Sequence, residues 1–242
     1  MSTAIARFRT PEGFVVAADR RSYDAISQTI KGEHDQKIFP VEGETIALSL
    51  AKDVLIEYSS FQFDFVAEVP KYTSIKGVCG LYQYAAELAT RLDLALIASG
   101  RPISKHWPNR TNRELETVIL LDGYHTGEAN QIEIRLYHER PSISRVFVCE
   151  SDSFIGSRQI VEIFNSREDR RLSGYRYNSP QTLQDAIEAA KKFIWAHCDP
   201  ISESIDPHTF QSVGRNLNIA IVDPRGFRWV DGFDPQSSST AP

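Results

Sequence analysis

Two stretches of helical period set the frame for this chain, because almost everything around them reads as short apolar strands. From residue 75 to 98, Leu81, Ala85, Leu88, Leu92 and Ala95 recur at spacings of four and three, which lines one face of a long helix. Another helix opens at Thr182, with Asp185 placed as the acidic end of a capping box, and presents Leu183, Ile187, Ala190 and Ile194. A shorter helix is predicted over Ser157 to Phe164. Strand patterns occupy residues 3–9, Phe14–Ala18, Lys37–Val41, Thr45–Ala51, Thr117–Leu121, Gln131–Tyr137, Ser144–Cys149, Leu217–Val222 and Gly226–Val230. Turn clusters separate them at Thr10–Gly13, Val41–Glu44, Asp122-Gly123, His138–Pro141 and Asp223–Gly226. Residues 20–36 read as polar and irregular, and 99–113, with Pro102, Trp107 and Pro108, as a polar connection. The stretch 53–75 is rich in Phe and Tyr without a clean period and receives no assignment. Runs of strands interrupted by helices predict an α+β fold with two antiparallel sheets face to face and helices on the outer faces. One domain is expected over 1–233, followed by a disordered Ser- and Pro-rich tail over 234–242.

Composition narrows the function classes. With 242 residues, 41% apolar and 24% charged, the chain can bury a substantial core. A formal charge of −5 argues against a nucleic-acid surface. No apolar run approaches the roughly 20 residues of a membrane span, and Arg7, Arg9 and Glu12 interrupt any secretory signal. Cys79, Cys149 and Cys198 form no C-x-x-C pair, which predicts reduced thiols and a cytoplasmic protein. The His197-Cys198 dipeptide and His208 match no zinc spacing, so no metal is expected. Phosphate-binding glycine loops, nucleophile elbows and dinucleotide fingerprints are absent from the sequence, and no cofactor is expected.

The chemistry concentrates in the first forty residues. Ser2-Thr3 places hydroxyls almost at the amino terminus, Asp19 ends a buried strand, and Lys37 opens another. A hydroxyl is a poor nucleophile at neutral pH, and a free α-amine on the same residue, with a reference pKa near 8, can act as its base. Removal of Met1 would expose Ser2; removal of Ser2 as well would expose Thr3. A buried strand-end acid needs a partner, and Arg21 and Lys37 are available. A lysine held beside the hydroxyl lowers its pKa and orients it.

This order of residues resembles the start of a proteasome β-type subunit: Thr3 to Asp19 with Gly13-Phe-Val-Val-Ala-Ala-Asp19, Asp19-x-Arg21, and then Lys37-Ile-Phe-Pro-Val41. Leu121-Asp-Gly-Tyr124, Ile155-Gly-Ser157, Thr182 to Lys192 and Gly214 to Val222 follow in the family's order, so the resemblance covers about 1–232. It implies the four-layer αββα sandwich of amino-terminal-nucleophile hydrolases, in a bacterial-type homo-oligomeric ring. It further implies a threonine-type endopeptidase, or a serine variant, acting through an acyl-enzyme on peptide or unfolded-protein substrates, with an ATPase or other activator as partner. Carried over by position, Thr3 or Ser2 is the nucleophile, Asp19 and Lys37 the charge pair and Ser157 the supporting hydroxyl, with Asp206 and Ser212 as the approximate late acid–serine pair. Arg158 stands where the family has glycine and is expected to narrow the cleft. Two alternatives keep the same framework: a non-catalytic ring scaffold, and an amidase acting on a small molecule.

Overall fold

The computed structural model describes residues 3–24, 27–41, 43–52, 54–58, 61–100, 116–138, 144–166 and 168–236. Most of the predicted connection 99–113, the turn after His138 and the end of the predicted tail lie outside the described residues. In chain order the strands are β1 (Ile5–Thr10), β2 (Gly13–Asp19), β3 (Ser22–Asp24), β4 (Thr29–Gly32), β5 (Ile38–Pro40), β6 (Thr45–Lys52), β7 (Leu55–Tyr58) and β8 (Phe61–Asp64). They continue as β9 (Glu116–His125), β10 (Glu128–Tyr137), β11 (Ser144–Val148), β12 (Ser153–Ile155), β13 (Leu217–Asp223) and β14 (Gly226–Trp229). The helices are α1 (Phe65–Glu68), α2 (Gly80–Ala98), α3 (Arg158–Asn165), α4 (Leu183–His197), α5 (Pro200–Ile205) and α6 (Pro207–Ser212). The chain forms two compact units, Met1–Phe39 with Glu150–Pro242, and Pro40–Cys149.

The first unit is built on a five-stranded sheet of order β12-β1-β2-β13-β14. Period-2 alternation along β1, β2 and β13 presents Ala4, Ala6 and Phe8, then Val15 and Ala17, then Leu217 and Ile219 to one face. Helix α4 packs there through the predicted Ile187, Ala190 and Ile194, with Leu183 partly buried beside them and with Ala186 and Phe193 added. Thr182 caps it, accepting from the Asp185 amide at 3.1 Å, while Asp185 accepts from the Thr182 amide at 3.2 Å. The small residues on β1 and β2 let a helix that carries Phe193 approach closely.

The second unit has antiparallel strands in the order β11-β10-β9-β6, with α2 packed on β9, β10 and β11. Leu81, Ala85, Leu88, Leu92 and Ala95 are buried along α2, as the sequence period predicts. The predicted turn at Asp122-Gly123 is corrected: β9 runs through both residues to His125, and the chain reverses at Thr126 and Gly127, with φ of 50° and 82°. Gly123 serves a close approach, since a Cβ there would run into the Thr45 carbonyl of the neighbouring strand.

Other departures have the same kind of cause. The unassigned stretch 53–75 contains the β7–β8 hairpin and α1; among the described side chains of its four-residue strands, Ile56, Phe61 and Phe63 are buried, and strands this short give a period little room to register. Residues 20–36 hold the β3–β4 hairpin, whose second strand is exposed at Thr29, Ile30 and Lys31 and so carries no apolar alternation. Helices α5 and α6 go beyond the predicted elements, yet each starts with Asp-Pro: Asp199 and Asp206 accept N-cap bonds, and proline takes the first helical position.

Candidate active site

Strand register brings the first cluster together. Thr10 pairs with Gly13 and Ile5 with Ala18, so the two-residue turn puts Asp19 opposite Ala4, whose carbonyl accepts the Asp19 amide at 3.1 Å. The Asp19 carboxylate lies wholly inside the protein, and Thr3 and Lys37 are only 4% and 6% exposed. Burial of that kind is tolerated only with complete pairing. Asp19 Oδ1 accepts from the Thr3 hydroxyl at 2.7 Å, the Ala4 amide at 2.9 Å and Lys37 Nζ at 2.8 Å. Its Oδ2 accepts from the amides of Arg21 and Gly214, both at 3.1 Å.

Lys37 is equally saturated. Its ammonium donates to Thr3 Oγ1 at 2.7 Å, to Asp19 Oδ1 and to the Arg21 carbonyl at 2.6 Å. All three ammonium protons are therefore used. The Thr3 oxygen sits between a cation that donates to it and a carboxylate that accepts its proton. Such an arrangement aligns the hydroxyl and stabilises negative charge developing on its oxygen.

Arg21, the other cation expected beside Asp19, takes part through its backbone. Its guanidinium turns instead to Glu33, at 3.0 and 3.1 Å, and to the Gln211 carbonyl at 2.9 Å. Ser2 lies outside the described residues. The side chain of Arg158 is 92% exposed and pairs with Glu162 at 2.8 Å.

Ser157 belongs to a second cluster. It is the N-cap of α3, and its hydroxyl accepts from the Ile160 amide at 3.4 Å. Burial pushes the Asp206 carboxyl up, but bonds from the Ser157 hydroxyl and from Thr209 outweigh it and hold the carboxyl below its ordinary value. Thr209 supplies its amide at 3.0 Å and its hydroxyl at 2.8 Å. Ser212 does not meet Asp206 in this network: its hydroxyl donates to the Thr209 carbonyl at 3.1 Å. Thr209 is absent from the residues that the sequence singles out, although the Asp206-Pro-His-Thr209 spacing is that of an N-cap reaching its third helical residue.

His197, which the sequence considers only as a poor metal ligand, proves to be part of the second cluster. It is fully buried, and its Nε2 accepts the Ser157 amide at 3.2 Å. Burial pushes its pKa down to about 4, with the Phe193 carbonyl, Asp19 and Asp206 acting in the other direction. The unfolded chain takes up this proton below about pH 6.5, whereas the folded one does so only near pH 4. Stability is therefore expected to fall as pH drops from about 6.5 to 4, by on the order of 3 kcal/mol from this residue. Melting curves across that window, compared with those of His197→Gln, check this; equal slopes would remove His197 as the cause.

An open groove of about 600 Å³ is lined by Arg21, Tyr23, Cys198, Phe210, Val213 and Arg215 among others. Among the described residues, no three His, Cys, Asp or Glu side chains converge as a metal site. No helix among them is long and apolar enough to cross a membrane.

No protein-family model and no curated protein sequence matches this chain. Among solved structures, it is similar to a Gly-1 mutant of Anbu from Hyphomicrobium sp. strain MC1, with 15% identity and a TM-score of 0.56. The match covers 98% of this chain and 89% of that one. At this identity the likeness is one of fold, and the chain shares that fold over nearly its whole length.

Proposed function

We propose that this chain is a threonine-type amino-terminal-nucleophile peptidase of the proteasome β kind, with its sheets and helices stacked as a four-layer αββα sandwich and its copies assembled in a ring. The observation that carries this is the buried Thr3 hydroxyl, held by Lys37 Nζ at 2.7 Å and by Asp19 at 2.7 Å. Once Ser2 is cut away, the Thr3 α-amine becomes the base for its own hydroxyl. Thr3 Oγ1 attacks the substrate carbonyl carbon and its proton passes to the α-amine. The carbonyl oxygen gains negative charge, which backbone N–H groups stabilise. Collapse breaks the C–N bond, with the proton delivered to the leaving amine, and leaves an ester on Thr3. Water then attacks that ester, releasing the acid and restoring the hydroxyl. Lys37 Nζ donates to the attacking oxygen and favours its deprotonated form, while Asp19 keeps Lys37 in place. Ser157 and Asp206 form the supporting hydroxyl–acid pair, with Thr209 in the place expected for Ser212. The likeness in fold to Anbu supports this assignment.

Intact mass of the purified protein is the direct test. Loss of both Met1 and Ser2 is expected, together with one acyl adduct on Thr3 after treatment with a β-lactone. Retention of Met1 would sink the terminal-amine mechanism and leave a scaffold subunit; loss of Met1 alone would move the nucleophile to Ser2. Mass photometry should find a ring, whereas a monomer or dimer would favour the small-molecule amidase.

A further inference from the structure

We infer that His197 is a positioning residue whose unprotonated Nε2 holds the Ser157 amide, and so fixes the Ser157–Asp206 pair for the proposed reaction. This rests on the peptidase assignment above. His197 Nδ1 lies 2.9 Å from the Phe193 carbonyl oxygen, which can only accept. Nδ1 therefore carries the proton, and Nε2 presents a lone pair to the Ser157 N–H at 3.2 Å. A histidine that merely filled the core would not need a defined tautomer; this one spends both ring nitrogens on backbone groups. Its ring packs at 4.7 Å from that of Phe193, one turn earlier on α4, which restricts its orientation.

The neighbouring glycine shows how closely the ring is seated. A Cβ on Gly156 would come within 2.5 Å of His197 Nε2 and 3.1 Å of Cε1. The Gly156-Ser157 pair thus has two separate causes: the glycine admits the imidazole, and the serine caps α3. The imidazole reaches the N-cap from the far end of α4, the helix that anchors the first unit's core. With its amide pinned by His197, Ser157 keeps its hydroxyl at the Ile160 amide, and that same hydroxyl helps to hold the Asp206 carboxyl below its ordinary value.

Three measurements on the full-length protein test this. Long-range 1H–15N NMR of the wild type at pH 7 should show His197 protonated at Nδ1 alone; protonation at Nε2 would overturn the inference without any variant. His197→Phe keeps an aromatic ring but lacks the acceptor, and is expected to lower kcat for peptide hydrolysis by about tenfold or more with KM little changed, and to speed exchange of the Ser157 amide. His197→Gln, whose amide oxygen can accept the same N–H, should restore kcat to within about threefold of wild type. If His197→Phe does not fold, the NMR tautomer and the His197→Gln rate still decide. A wild-type protein that neither hydrolyses peptides nor reacts with a β-lactone defeats the peptidase assignment itself. A reactive wild type that His197→Phe matches in kcat defeats only the role of His197.

Discussion

Replacing Lys37 by alanine is expected to cut acylation of Thr3 by a β-lactone on the order of 10³-fold. Lys37 supplies the one cation in hydrogen-bond contact with Thr3 Oγ1 among the described residues, and its other two protons are committed to Asp19 and the Arg21 carbonyl. The substitution removes the positive charge that favours the oxyanion form of the nucleophile and leaves the hydroxyl donating to a bare carboxylate. That bond strengthens as the proton stays on, so the remaining electrostatics oppose attack. The loss should fall equally on kcat and kcat/KM, because the interaction grows in the transition state. Folding should survive, since Asp19 keeps the Thr3 hydroxyl and the amides of Ala4, Arg21 and Gly214 as donors. Lys37→Arg is no rescue: a planar guanidinium cannot place three donors where one tetrahedral ammonium does. Labelling followed by mass spectrometry reads the result, and undiminished acylation of a folded Lys37→Ala protein would remove Lys37 from the mechanism.

Asp19→Ala should be the most destabilising single change in the site, by about 3–5 kcal/mol. It strands a buried ammonium that is only 6% exposed, together with the Thr3 hydroxyl and three backbone amides that have Asp19 as acceptor. Those amides come from the residue before β1, from the segment after β2, and from the segment before β13, so one carboxylate ties three parts of the first unit. Asn is a partial substitute: it preserves one acceptor oxygen, but its NH2 meets a donor on whichever side it faces. Chemical denaturation of the full-length protein measures the difference. A change under about 1 kcal/mol would mean that the network contributes little beyond a surface ion pair.

Much of this site is legible in the amino-acid sequence, and the reason is local. Hydroxyl, carboxylate and lysine lie within the first forty residues, on or beside short apolar strands, the first two joined by a turn whose Pro and Gly mark it. The sequence leaves open a count of one residue between Ser2 and Thr3. In the folded chain Thr10 pairs directly with Gly13, and Thr3 stands beside Asp19 and Lys37. The long helix α2 and the capped helix α4 are legible for a similar reason, since a face repeated over four or five turns outweighs local noise.

Residue type, together with periods of two and 3.6, is enough to establish the chemical inventory, the alternating strands and the two long helical faces. The choice of partners belongs to the folded chain. Arg21 is the natural mate of Asp19 by charge, yet it contributes its backbone while Glu33 takes the guanidinium. Ser212 is the serine expected beside Asp206, but a six-residue helix turns Thr209 toward it instead. His197 and Ser157, forty residues apart, meet only because α4 ends where α3 begins. A hydrogen bond needs a direction and a separation near 3 Å, and across distant segments only the folded chain supplies both.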